Sequence, residues 1–146
     1  MAKIEAPRRY HFTQLGKICP QETPEGQQVG ITKNLSLSAH ITLDGKTEPI
    51  RMYLSEIGVQ DITTINNKLI AKSTNLLING DLVGVITDPI ESYKIYKGLK
   101  LLKINGKINI YTSIAFYIER NELIIQTDGG RYCRPLYILE NNNYKI

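Results

Sequence analysis

Asn75-Leu76-Leu77-Ile78-Asn79-Gly80-Asp81-Leu82-Val83-Gly84-Val85-Ile86 decides how the second half of the chain folds. Two apolar runs flank an Asn-Gly pair, the strongest short hairpin signal, because both central positions of a type I′ turn need positive φ. Gly80 meets that need without steric cost, so Asn79→Gly is expected to be mild and Gly80→Val damaging. After the hairpin, Asp88-Pro89 starts a helix over 89–103 with Ile95, Leu99 and Leu102 as its apolar stripe. Lys94, Lys97, Lys100 and Lys103 spread over its other side and read as a solvated face. Asn105-Gly106 closes the helix. Ser113–Ile118, Leu123–Thr127 and Tyr132–Leu139 then read as three antiparallel strands, with Asp128-Gly129-Gly130 as the turn between the last two.

Upstream the pattern is less regular. Residues 61–73 are polar with scattered Ile and Leu, and they fit a linker or a weak strand equally. Thr47, Pro49 and Gly58 bracket a short helix over 48–57, with Ile50, Tyr53, Leu54 and Ile57 at helical spacing. Leu35, Leu37, Ala39, Ile41 and Leu43 fall at period two, which predicts a half-buried strand ending at Asp44-Gly45. Residues 16–30 are dense in Gly, Pro, Gln and Glu and have neither period, so they read as a long ordered loop. The predicted class is α+β: an irregular loop with a strand and a short helix over 1–60, a linker over 61–73, and a small α+β domain over 74–140. Residues 75–139 are expected to fold without 1–60.

Composition narrows the function. Hydrophobic residues make up 42% and charged residues 22% of the 146, which fits a folded chain rather than a disordered one. Eighteen Lys+Arg against 14 Asp+Glu give net +4, a bias that permits a nucleic-acid partner without requiring one. No apolar run spans a bilayer, and no secretory h-region opens the chain, so an intracellular protein without a membrane partner is expected. Cys19 and Cys133 stand far apart, which argues against a disulfide framework or a zinc site.

Few residues carry chemistry by type and spacing. Glu22 and Glu25 form a carboxylate pair, yet no metal ligand or partner His has a defined relation to them, and Pro24 and Gly26 also suit a plain type I turn. A small hydrolase built on this pair would lack any nucleophile–base arrangement. Lys3, Arg8, Arg9, His11 and Lys17, interleaved with Tyr10 and Phe12, suit either a phosphate backbone with stacked bases or a solvated basic terminus.

Together these motifs form a more specific pattern. Pro7-Arg8, His11, Gly16, Ile18-Cys19-Pro20, Glu22-Thr23-Pro24-Glu25-Gly26, Gly30 and Lys33-Asn34-Leu35 resemble the fork region of the second-largest subunit of multisubunit DNA-dependent RNA polymerases. Leu77-Ile78-Asn79-Gly80-Asp81-Leu82-Val83-Gly84-Val85 and Glu122–Leu136, with its Thr127-Asp128-Gly129-Gly130-Arg131 centre, resemble the first external domain of the eukaryotic, archaeal and large-virus type. Leu15 stands where that family has an aromatic residue, and Phe116-Tyr117 where it often has Arg-Asp. The Ile-, Lys- and Asn-rich usage resembles that of an AT-rich genome, such as a large DNA virus.

The resemblance implies a part in template-directed RNA synthesis, near the active centre and the downstream DNA. It implies nucleic-acid proximity for Lys3, Arg8 and Arg9, and an active-centre loop of Pro20, Glu22, Thr23, Pro24, Glu25, Gly26 and Gly30. Glu25 would position rather than ligate a metal. The chain itself would bind no cofactor, and Mg2+ would belong to the assembled polymerase. Its partners would be other polymerase subunits, the rest of its own subunit, template DNA, nascent RNA and nucleoside triphosphates. The chain is expected to be a fragment or split gene product, inactive alone. The alternative is a stand-alone nucleic-acid-binding module.

Overall fold

The computed structural model describes residues 4–65, 73–140 and 143–145. Lys3, most of the 61–73 linker and part of the Asn141–Asn143 run lie outside the described residues. In chain order the main elements are β1 (His40–Ile41), α1 (Glu48–Glu56), β2 (Gln60–Asp61), β3 (Thr74–Ile78), β4 (Asp81–Ile86), α2 (Pro89–Ile104), β5 (Ser113–Tyr117), β6 (Glu122–Gln126), β7 (Tyr132–Cys133), β8 (Ile138–Glu140) and β9 (Asn143–Lys145). They form two compact units, one of 43–130 and one of 1–42 with 131–146.

The 43–130 unit holds a five-stranded sheet in the order β2-β4-β3-β6-β5. Alternation along β3 and β6 sends Leu76, Ile78, Leu123 and Ile125 to one face, where they join Ile50 and Leu54 of α1 and Ile95 and Leu99 of α2 in a single core. The β3–β4 hairpin turns on Asn79 and Gly80, at φ 53° and 91°, as the Asn-Gly pair predicts. Asn79 does more than turn the chain. Its side-chain carbonyl accepts from the Thr127 amide at 2.7 Å, and its Nδ2 donates to Thr127 Oγ1 at 2.9 Å. Thr127 is buried, so losing this pair would strand an amide away from water. The expectation that Asn79→Gly is mild is therefore revised.

Both helices form where capping chemistry places them. The Asp88 carboxylate accepts from the Ile90 amide at 2.9 Å to start α2, and the Asn105 amide bonds back to Leu101 to end it. At α1, Thr47 has helical backbone angles and makes no side-chain cap. The helix is set instead by Pro49 in its first turn and by burial of Ile50 and Leu54. Gln60–Asp61 becomes a short edge strand on β4, followed by a 3-10 turn at Ile62–Thr64. The Thr63 amide, then the Thr63 hydroxyl, hold the Asp61 carboxyl below its usual range, with a smaller contribution from the Arg51 charge and against a small desolvation effect.

Two strand expectations change within the α+β class. Of the three C-terminal strands only β5 and β6 pair with each other, antiparallel, while β6 runs parallel to β3. The third stretch leaves this sheet: Tyr132–Cys133 pairs with His40–Ile41, and Pro135, with no N–H to donate, stands two residues beyond Cys133. Asp128-Gly129-Gly130 is thus no hairpin turn; the Gly129 amide donates to the Asp44 carboxylate, and the Gly45 amide to the Thr127 carbonyl at 2.8 Å. The long strand predicted over 34–43 also does not form. Leu35 makes one bridge to Ile18, residues 36–39 turn, and only His40–Ile41 is strand. Leu35, Leu37, Ile41 and Leu43 are all exposed, so in this chain the period-two pattern has no apolar layer to face.

Candidate functional site

The predicted loop is ordered by side chains bonding to backbone. Ala6–Arg8 is a 3-10 turn with Pro7 in its first positions. From its end the Arg8 guanidinium reaches into the loop. Nη1 donates to the Gln27 and Val29 carbonyls, each at 2.7 Å, and Nε to the Ile4 carbonyl at 3.2 Å. Gly30 lies against this clamp at φ 72°, and a Cβ there would collide with the Arg8 carbonyl. No other residue type fits that position without moving one of the two segments.

Thr23 is the second tie. Its hydroxyl accepts from the Gly30 amide at 2.9 Å and donates to the Thr32 carbonyl at 3.1 Å, so the two arms of the loop are closed by one side chain. Asn34 Nδ2 donates to the Glu22 carbonyl at 3.2 Å, and the Cys19 amide donates to the Asn34 carbonyl at 2.9 Å. The Tyr10 hydroxyl donates to the Ile18 carbonyl at 3.0 Å, and Ser36 Oγ to the Gly16 carbonyl at 2.6 Å. Gly16 lies under Arg134, whose Cδ would be 2.8 Å from a Cβ at that position. The first and last motifs of the sequence therefore meet in this unit.

This network leaves the charged groups outward. Pro20, Glu22, Pro24 and Glu25 are exposed. Glu25 takes the N-cap position of the Gly26–Gln28 3-10 turn, yet its side chain makes no cap bond, so its carboxylate is available to an incoming group. Arg9 pairs with Glu5 at 3.1 Å, both side chains exposed, an ion pair of little energetic weight. Ile4, Glu5, Ala6, Arg9, Tyr10 and His11 line an open hollow beside it. His11 Nδ1 sits 2.7 Å from Thr13 Oγ1, which makes this histidine a local turn former.

Among the described residues, no group of three or more His, Cys, Asp or Glu side chains is placed to hold a metal. Both cysteines are free thiols. No described helix is long and apolar enough to cross a membrane.

The site predicted from sequence thus gathers Arg8, Thr23 and Gly30 into one bonded network and leaves Glu22, Glu25 and Arg9 on its surface. Sequence reading missed Tyr10, Asn34 and Ser36 as loop ties. Polar side chains bonding to backbone at long separation leave no periodic trace.

Comparison with known proteins extends this pattern. Residues 1–41 match the family described as RNA polymerase Rpb2, domain 3, and residues 76–140 match RNA polymerase Rpb2, domain 4. The chain is 38% identical over 144 residues to the DNA-directed RNA polymerase II subunit RPB2 of Encephalitozoon cuniculi. It is 38% identical over 144 residues to the DNA-directed RNA polymerase II subunit 2 of Arabidopsis thaliana, and 35% over 144 to the RNA polymerase III subunit RPC2 of Saccharomyces cerevisiae. Each alignment covers 99% of this chain and 12% of the relative. With two successive Rpb2 domains matched in order and near-complete alignment to such subunits, the chain belongs to the family of second-largest RNA polymerase subunits, whose domain 3 and domain 4 region it spans.

Proposed function

We propose that the chain serves a DNA-directed RNA polymerase as the fork and first external domain of its second-largest subunit, in an intracellular enzyme. Fork here means 1–60 and external domain 74–140, joined through 61–73. The observation that carries the reading is the match to two successive domains, at 1–41 and 76–140, within an alignment to such a subunit over 99% of the chain. The loop at 19–30 supports it: a backbone tied by Arg8 and Thr23 hydrogen bonds, with the Glu22 and Glu25 side chains exposed.

In this reading the loop of Pro20, Glu22, Thr23, Pro24, Glu25, Gly26 and Gly30 lines the active centre near downstream DNA. Arg8 shapes it from behind, while its Nη2, without a partner among the described residues, and the exposed Arg9 offer positive charge to phosphates, together with Lys3. Template DNA, nascent RNA, nucleoside triphosphates, the other subunits and the rest of its own subunit are the partners. Mg2+ would belong to the assembled enzyme, and no step of this chain's own passes through it. Glu25 orients neighbouring groups.

The test compares the purified chain with the assembled enzyme. Primer extension with Mg2+ and nucleotides should be seen only in the assembly. Extension by the chain alone would contradict the reading, and a tight, salt-dependent gel shift by the chain alone would favour a stand-alone nucleic-acid-binding module.

A further inference from the structure

The face of α2 turned away from the core is apolar and basic at once. Ile90, Tyr93, Leu101 and Ile104 are 67%, 48%, 59% and 48% exposed, and Lys94, Lys97 and Lys100 lie among them. At 100° per residue all seven fall within about 120° of the helix circumference. Ile95 and Leu99, which are buried in the core, lie on the opposite side. No acidic residue of the helix shares the stripe. Ile90, Tyr93, Lys97, Lys100 and Ile104 repeat at three- and four-residue steps, the spacing of a seam that packs along a second helix for about 21 Å.

The lysines are not simply extended into solvent. Lys97 Nζ lies 4.7 Å from the centre of the Tyr93 ring, and Lys100 Nζ 4.5 Å from that of Tyr96. Cation–π attraction thereby holds Lys97 along the stripe and Lys100 at its edge, against the half-buried Tyr96.

We infer that this face of α2 docks an acidic amphipathic helix of another polypeptide, with carboxylates opposite Lys97 and Lys100 and apolar side chains opposite Ile90, Leu101 and Ile104. Charge complementarity selects this occupant. A second copy of the chain would set Lys97 and Lys100 against their own kind, which costs binding energy. A nucleic acid would satisfy the lysines but leave the apolar ends of the seam without partners. The inference stands on α2 alone and is independent of the polymerase reading.

The test titrates the isotope-labelled 146-residue chain with a synthetic helical peptide carrying Leu at the ends of its seam and Glu at the centre. Controls are a scrambled peptide, a single-stranded oligonucleotide and phosphatidylserine vesicles. Amide shifts confined to α2, weakening at least tenfold from low to high salt and at least tenfold in Lys97→Glu, are expected. Leu101→Ser should weaken binding without that change in salt dependence. Both positions are exposed, and unchanged Leu76 and Ile125 amide signals verify the fold. Absence of shifts along α2 would overturn the proposal. So would equal binding of the scrambled peptide, or stronger binding of the oligonucleotide or vesicles.

Discussion

The 19–30 loop and the 43–130 unit are ordered by different physics. The unit has a sheet face and two helices around a shared core of Leu, Ile and Val, and its order comes from apolar burial. The loop has no core residue, and its shape comes from a few hydrogen bonds by Arg8, Thr23 and Asn34 to distant carbonyls and amides. Burial is spread over many contacts and tolerates small changes. A bonded loop concentrates its order in a few atoms, so single substitutions there should act locally and depend on chemistry rather than size. A hydrogen-bonded loop with outward-facing carboxylates is the arrangement expected where polar groups must be presented at fixed positions.

The largest effect should come from cutting the core. A fragment of 43–130 retains Ile50 and Leu54, whereas 75–139 loses both from an otherwise closed cluster. The longer fragment should give dispersed amide spectra and a cooperative melt, and the shorter one a much weaker melt or none. Equal stability of the two would show that α1 is dispensable and would return the boundary to 61–73.

Next come the hairpin substitutions. Gly80→Val forces a β-branched residue to φ 91° and should cost about 1–3 kcal/mol. Asn79→Gly keeps the turn but removes both bonds to Thr127, and should also cost about 1–3 kcal/mol. Chemical denaturation of both variants checks this. A much milder Asn79→Gly would mean that the side-chain bonds contribute little and that turn conformation alone sets the hairpin.

Arg8 sharpens the contrast at the loop. Arg8→Ala should speed amide exchange across 26–30, equivalent to about 1–2 kcal/mol of local stability, while the melt of the 43–130 unit stays unchanged. Arg8→Lys should not restore protection, because an ammonium cannot reproduce the guanidinium fork. Full restoration by Lys would show that charge, not the fork, is what matters.

The smallest effect concerns Asp61, at the exposed edge of the sheet. Its carboxyl is depressed below 3.8 in the folded chain, so its contribution to stability is complete above that value and is lost as pH falls through the lower folded value. Melts between pH 6 and pH 2.5 should show a slightly shallower acid-side loss in Asp61→Asn. An identical loss in both proteins would remove Asp61 from the account.

Sequence patterns revealed the elements whose residues serve one periodic purpose. The β3–β4 hairpin and α2 were legible because turn chemistry, capping and apolar spacing agree there. The 34–43 segment misled because its alternation is real but its apolar side chains find no layer within this chain. The 132–139 stretch misled because strand-like residues do not state their partner, and Pro135 limits the pairing. The loop was recognisable by its Pro, Gly and Glu content, but the Thr23 and Asn34 ties and the Arg8 clamp depend on contacts between distant residues. The motif drew attention to the loop's residues, and only three-dimensional geometry separates those that hold the loop from those that face outward.

The proposed role of the loop turns on Glu25, because the loop is held without its side chain and leaves its carboxylate exposed. Glu25→Ala, built into the assembled polymerase, should leave subunit assembly and thermal stability near those of the parent while changing elongation rate or fidelity. Failure of assembly with unchanged elongation in whatever enzyme forms would contradict the account and make Glu25 a structural residue.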